Sequence, residues 1–371
     1  MTGLIETIEV RTVRLPLRSP FRTSNGVSTE REIVLVRLAG GGVEGWGECV
    51  AEQEPTYSPE YSRGAADVLR SFLLPRLVAA DVQSAADVAP ALYGIVGHPM
   101  AKAALELAVL DLELRQREIS LARYFGAART RIPAGVSVGI QPSVPALLDV
   151  VSGFLDEGYQ RIKLKIQPGW DVEPVRAVRQ RFGTELPLQV DANSAYDLAD
   201  AAHLRRLDEF GLLLIEQPLH HDDLFQHARL AELITTPVCL DESIVSARAA
   251  AAAISLGAAR IINIKPGRVG GYLEARRIHD LAQAHGVAVW CGGMLESGIG
   301  RRANIALAAL PGFTLPGDTS ASNRFYDTDL TAPVTLESDG HVLVPTGPGI
   351  GAAPDPELLA KFTEDSWSYE R

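Results

Sequence analysis

From about residue 130 the chain alternates short apolar, β-branched runs with Ala/Leu/Arg-rich stretches long enough for helices. The runs fall at 134–140, 161–166, 188–193, 212–218, 238–244, 260–266, 287–293 and 313–318. They predict eight strands, seven of them followed by a helix. Lys165, Asp191, Glu216, Asp241 and Lys265 sit in successive runs at intervals of 26, 25, 25 and 24 residues. One βα unit of a closed parallel barrel has about this length. An open doubly wound sheet would carry a Gly-rich phosphate turn after its first strand, and none follows 134–140. The pattern predicts a barrel.

The first 130 residues read differently. Segments 7–17 and 33–38 alternate as antiparallel strands do, and Gly40, Gly41 and Gly42 supply a hairpin turn into Val43–Cys49. Helical patterns follow at about 58–79 and 100–117, the latter with Ala101, Ala104, Leu105, Ala108 and Leu112 on one stripe. Strand-like alternation returns after Arg324, at 334–336 and 341–344, and this tail is expected to pack back on the N-terminal unit. The expected organisation is an α+β capping domain at 1–129, a barrel at 130–324 and a returning tail at 325–371.

Composition narrows the partners. The 371 residues are 46% hydrophobic and 22% charged, with a formal net charge of −11. An acidic chain lacking clustered Lys and Arg is no match for nucleic acid or an anionic membrane. The N-terminus lacks the basic–apolar–small pattern of a signal peptide, and no apolar run approaches the roughly 18 residues of a membrane span. Three scattered cysteines, Cys49, Cys239 and Cys291, make no disulfide framework or CxxC metal site. A cytoplasmic, homo-oligomeric enzyme or binding protein is expected, with a small molecule as its partner.

The recurring ionisable residues fall near the C-terminal ends of their strands, the face on which barrels assemble active sites. Alternation along a strand puts Lys163 and Lys165 on one side, and Asp191 and Asn193 likewise. Asp191, Glu216 and Asp241, on neighbouring strands, can converge on one ion, and hard oxygen ligands suit Mg²⁺. Lys265 faces Lys165 across the mouth. A bland reading exists for each piece: a Lys-x-Lys pair is usually a solvated strand face, and Asp241-Glu242-Ser243 could cap a helix. Five successive units with an ionisable residue at the same strand end favour a site over coincidence. A metal flanked by two lysines suits removal of the α-proton of a carboxylate, giving an enediolate. The base must be neutral, so Lys163 and the metal are expected to lower the pKa of Lys165, with Arg268 contributing at Lys265. Lysines on opposite faces permit racemisation; with a β-leaving group, one lysine could drive elimination.

Lys163-Leu-Lys165, Asp191-Ala-Asn193, Glu216-Gln-Pro218, Asp241-Glu242 and Lys265 resemble the enolase superfamily in its muconate-lactonising subgroup, over essentially the whole chain. The stretches 161–171, 191–196, 290–300 and 315–322 are most similar to the o-succinylbenzoate synthase/N-acylamino acid racemase family. The resemblance implies a modified (β/α)7β TIM-type barrel with an α+β cap formed by the N-terminal segment and the tail. It implies Mg²⁺, with Mn²⁺ or Co²⁺ able to substitute, on Asp191, Glu216 and Asp241, and Lys165 and Lys265 as acid/base pair supported by Lys163, since lysine bases with Mg²⁺ are a pattern of this superfamily. Ser137, Asn193, Gly292 and Met294 would line the substrate pocket, with Glu242 and Arg268 behind the ligands. The segment Phe21-Arg-Thr-Ser-Asn-Gly26 resembles a mobile loop closing over substrate, placing Phe21 and Ser24 against it; Asn25 stands where many relatives have an aromatic residue. Asp318 would reach the substrate from the eighth strand, where dipeptide epimerases carry Asp-x-Asp to hold an ammonium; here Thr319 and Ser320 follow it, which suits an acylated amine. The expected activity is N-acylamino acid racemisation, o-succinylbenzoate formation in menaquinone biosynthesis, or both. A muconate-type cycloisomerase, a dipeptide epimerase and a non-catalytic metal-binding protein are the alternatives.

Overall fold

The computed structural model describes residues 4–24 and 26–370. Its first strands, β1 (Thr7–Thr23), β2 (Gly26–Gly40) and β3 (Val43–Cys49), form an antiparallel meander. Gly41 and Gly42 make the turn with φ of 60° and 79°, the left-handed backbone a two-residue hairpin loop needs. β1 and β2 run past their apolar stretches because their polar ends stay paired, Phe21 opposite Ser28 and Thr23 opposite Gly26. The Pro99–Gln116 helix packs on β3. Gly45 and Gly47 permit that approach, since a Cβ at either would overlap the backbone of Ala108 or Ala104. The expected apolar stripe understates this helix: every residue from Met100 to Leu114 except Lys102 is buried. Sheet covers one side and barrel helices another. The other helical run starts at Ser62, leaving 52–61 as a loop directed at the barrel.

After the short β4 (Arg131–Pro133) come seven parallel strands: β5 (Gly135–Val138), β6 (Arg161–Lys165), β7 (Leu188–Asp191), β8 (Ile215–Glu216), β9 (Val238–Leu240), β10 (Ile261–Ile264) and β11 (Ala288–Cys291). They lie side by side in sequence order, each followed by helix. Ser143, Asp171, Asp223, Ser246 and Ser297 start five of these helices by accepting hydrogen bonds from first-turn amides.

The eighth run, 313–318, closes the barrel only as an irregular strand. It makes one parallel bridge on each flank, Phe313 to Val289 and Gly317 to Ala134. Pro316 has no N–H to offer a ladder. Arg161, fully buried, makes up the deficit: Nε and Nη2 donate to the Pro316 carbonyl at 3.3 and 2.9 Å, and Nη1 lies 2.8 Å from Asp318 Oδ1.

The tail returns in two stages. β12 (His341–Leu343) pairs with β4 beside the barrel, and 334–336 forms no strand. β13 (Thr363–Glu370), too polar to stand out in the sequence, pairs antiparallel with β1 and completes the sheet β13-β1-β2-β3. Among the described residues no helix is long and apolar enough to cross a membrane.

Buried carboxylates of the cap hold the barrel by its helix N-termini. Glu48 accepts from Ser297 N, Ser297 Oγ and Gly300 N at 3.0, 2.6 and 2.9 Å, and Glu106 from Leu273 N at 3.0 Å. Burial pushes both carboxyls up to about 7, against the N–H groups that pull them down. A carboxyl raised on folding stabilises the folded state fully below its unfolded pKa, and that contribution is lost as the pH rises through the folded value. Wild type should therefore lose stability between pH 5 and 8. Glu106→Gln, which keeps the acceptor without the charge, should lose less; urea unfolding at the two pH values measures the difference, and an unchanged pH dependence would contradict it.

Candidate active site

The ionisable landmarks end or immediately follow their strands, and register aligns them: Lys165 opposite Asp191, and Asp191 opposite Glu216. Glu216 lies opposite Cys239, so Asp241, two residues on, falls on the same face. Asp191, Glu216 and Asp241 are all buried. Lys165 Nζ is 2.6 Å from Asp191 Oδ2 and 2.7 Å from Asn193 Oδ1. Lys163 Nζ reaches Asp318 Oδ2 at 2.6 Å, Glu216 Oε2 at 3.0 Å and Asp191 Oδ2 at 3.3 Å, and lies 4.8 Å from the centre of the Trp290 ring. Lys265 Nζ is 2.7 Å from Asp241 Oδ2, whose Oδ1 pairs with Arg268. Glu242 accepts from Asn193 Nδ2 at 2.9 Å.

Lys165 and Lys265 open on one cavity of about 260 Å³ between the cap and the barrel mouth, lined also by Phe21, Tyr57, Asn193 and Met294. Four other expected pocket residues stand back from it. Ser24 Oγ donates to the Ala192 carbonyl at 3.3 Å. Ser137 lies in register with Lys163, its buried Oγ without a partner among the described residues. Gly292 packs against Asn263, and Asp318 is spanned by Lys163 and Arg161. Asn25 lies outside the described residues.

Burial and charge pull in opposite directions here. Burial disfavours the Asp191 carboxylate, yet Lys165 and Lys163 hold its pKa well below the usual range. Asp318 is low for the same reason, through Lys163 and Arg161. Glu216 is raised by burial and by Asp191. Lys265 departs from the expected lowering. Burial does lower it, but Tyr57, Glu242, Glu216 and Asp191 outweigh burial and hold it above the ordinary lysine value.

Among the described residues, no three His, Cys, Asp or Glu side chains are arranged to enclose a metal ion. Lys163, Lys165, Lys265 and Arg268 occupy the oxygens such an ion would use. The donor set itself suits a hard divalent cation: carboxylates from three neighbouring strand ends, with a buried Glu242 Oε2, unpartnered among the described residues, close behind.

Three contacts escaped the sequence reading. Asn263 Nδ2 donates to Glu216 Oε1 at 2.6 Å; it precedes Lys265 by two residues, so strand alternation could have found it. Arg161 is the residue before the Ile162-Lys163 pair, and nothing in its spacing points to the eighth segment. Tyr57 OH is 3.1 Å from Lys265 Nζ across 208 residues of chain, a contact only the fold creates.

Residues 5–126 match the family described as mandelate racemase / muconate lactonizing enzyme, N-terminal domain, and residues 146–358 match the family described as enolase C-terminal domain-like. The N-succinylamino acid racemase of an Amycolatopsis species is 64% identical over 356 residues, 96% of each chain. The o-succinylbenzoate synthase of Geobacillus kaustophilus is 47% identical over 368 residues, 99% of this chain and 98% of that one. A solved enolase-superfamily structure from Listeria innocua matches with a TM-score of 0.95 at 39% identity over the whole of both chains. Matched in both its cap and its barrel, the chain belongs to the mandelate racemase/muconate lactonizing enzyme family of the enolase superfamily.

Proposed function

We propose that this protein is an N-succinylamino acid racemase that also forms o-succinylbenzoate by dehydration, both through an enediolate made by α-proton abstraction. The observation that carries the reading is the pair of lysines, Lys165 on β6 and Lys265 just after β10, opening on one cavity. Strands β6 and β10 are separated by β7, β8 and β9, which sets the two amines across the mouth from each other. The relatives' names agree with this pair of activities.

In the racemisation one lysine, as the free amine, takes the α-proton, and the C–H electrons pass into the carboxylate. The opposite lysine, as ammonium, returns a proton to the other face. In the dehydration the same electrons expel the β-hydroxyl as water, its proton supplied by an ammonium. Asp191, Glu216 and Asp241 would hold the divalent metal, Mg²⁺ by their all-oxygen character. When bound, it supplies positive charge against the charge developing on the carboxylate oxygens. Lys163, paired to Glu216, Asp191 and Asp318, fixes those carboxylates, and Asp191 in turn holds Lys165. Asn193 orients Lys165 from Oδ1 and is itself held by Glu242. Phe21 and Met294, apolar and on the cavity wall, would take the amino acid side chain. Asp318 is already committed to Lys163 and Arg161, so a free α-ammonium finds no spare carboxylate on the eighth segment.

N-succinyl-L-phenylalanine with Mg²⁺ in D₂O should lose its α-proton NMR signal and its optical rotation together. If neither changes and the o-succinylbenzoate precursor is also untouched, the reading fails. Lys265→Ala should lower racemisation by about 10²–10⁴-fold while leaving α-proton exchange on one enantiomer through Lys165. Equal exchange of both enantiomers in that variant would contradict the two-face assignment. Exhaustive chelation should abolish both reactions and added Mg²⁺ restore them; activity that survives chelation removes the role given to Asp191, Glu216 and Asp241.

A further inference from the structure

The two lysines are held in different ways. Lys165 Nζ is gripped by Asp191 and Asn193, both on the β7 strand end. Lys265 Nζ has Asp241 on one side and Tyr57 on the other, at 3.1 Å from its hydroxyl and 4.6 Å from the centre of its ring. Tyr57 belongs to the cap, in the loop between β3 and the helix beginning at Ser62. Its hydroxyl accepts from Lys265 and, at 3.3 Å, from Arg268 Nη1, and donates to Asp241 at 3.3 Å. One donor and two lone pairs are the whole capacity of a phenol, so this group is fully used in holding Lys265 and its neighbours. Arg268 is itself fixed to the carbonyls of Ile244 and Asn263 at 2.9 and 2.7 Å, so Tyr57 bears on a rigid base.

We infer that Tyr57 is a positioning residue for Lys265, by which the cap sets the geometry of proton transfer on one face of the substrate and not on the other. The inference rests on the racemase reading above. A lysine has a long, freely rotating stem, and a displacement of about 1 Å from attack geometry can cost about 10²-fold in rate. Ring and hydroxyl together confine the ammonium; the hydroxyl alone ties it to Arg268 and Asp241. The cap thereby acts on stereochemistry as well as on enclosure: without the Tyr57 contact, the enantiomer served by Lys265 should react more slowly than its mirror image.

The test measures α-proton exchange of N-succinyl-L- and N-succinyl-D-phenylalanine separately by NMR in D₂O. Lys265→Ala identifies the enantiomer that Lys265 serves. In Tyr57→Phe, which keeps the ring and loses the hydroxyl, kcat for exchange of that enantiomer should fall by about 10-fold or more. Its KM, and the exchange of the other enantiomer, should change by less than about 2-fold. Tyr57→Leu, which also removes the ring, should widen the asymmetry. Circular dichroism of each variant shows that it is folded. Exchange lowered equally for both enantiomers, or unchanged for both, overturns the inference and leaves the racemase reading standing. Absence of exchange for both enantiomers in wild type overturns the racemase reading and this inference with it.

Discussion

At the barrel mouth Lys163, Lys165, Lys265 and Arg268 share one small volume with Asp191, Glu216, Asp241, Glu242 and Asp318, nearly all of it removed from water. An uncompensated charge in such a place costs several kcal/mol. No single side chain here is stable except in the company of the others, so strand register becomes a chemical requirement. A one-residue slip of β7 against β6 would turn Asp191 out of the mouth and leave Lys163 and Lys165 facing apolar residues. The same constraint explains Arg161, whose guanidinium both satisfies Asp318 and replaces the ladder that Pro316 interrupts. Closure of the barrel and charge compensation in its mouth are thus one structural event.

The cap is fastened by similar means but for another purpose. Glu48 and Glu106 take hydrogen bonds from the first turns of barrel helices, as a capping side chain would, except that these come from a different part of the chain. Such contacts fix where the cap stands without committing its loops. From that platform Thr23, the paired strand end 26–31 and the loop residues 52–54, 56 and 57 line the cavity. With the cap fixed at its back, the segments lining the cavity can differ in sequence without disturbing the charged side chains of the barrel mouth.

The barrel and most of its mouth were legible because both repeat. A period of about 25 residues, with one ionisable group per strand end, exposes Lys165, Asp191, Glu216, Asp241 and Lys265 without any knowledge of packing. Alternation would have added Asn263. What the sequence could not carry are contacts without a period. Tyr57 meets Lys265 only because the cap folds over the mouth. β13 joins β1 although its Thr-Glu-Asp-Ser-Trp-Ser-Tyr-Glu sequence alternates only at Trp367 and Tyr369, too short a pattern to mark a strand, since backbone pairing at a sheet edge places little demand on side chains. The eighth strand was legible in position but not in form, because the pattern shows apolar residues and the ladder depends on N–H groups that Pro316 lacks. The direction of the Lys265 shift was misread for a related reason. Neighbours in sequence, such as Arg268, are visible in the chain, whereas the groups that outweigh burial come from elsewhere in the fold, Tyr57 on the cap first and then Glu242, Glu216 and Asp191.

That raised lysine has a consequence for how a base arises. Taken at formal charge, the mouth holds Arg161, Lys163, Lys165, Lys265 and Arg268 against Asp191, Glu216, Asp241, Glu242 and Asp318, which sums to zero. A divalent cation would bring an excess of two positive charges to the mouth, and the α-carboxylate of the substrate would offset one of them, the succinyl carboxylate lying at the far end of the molecule. A single positive charge would then remain in a region where an unbalanced charge is expensive. Loss of one proton from a lysine removes it. The opposite lysine must keep its proton for the same balance to hold. A compensated mouth therefore favours one amine and one ammonium, the pairing that a two-face proton transfer requires, and each transfer across the substrate exchanges their roles without changing the sum.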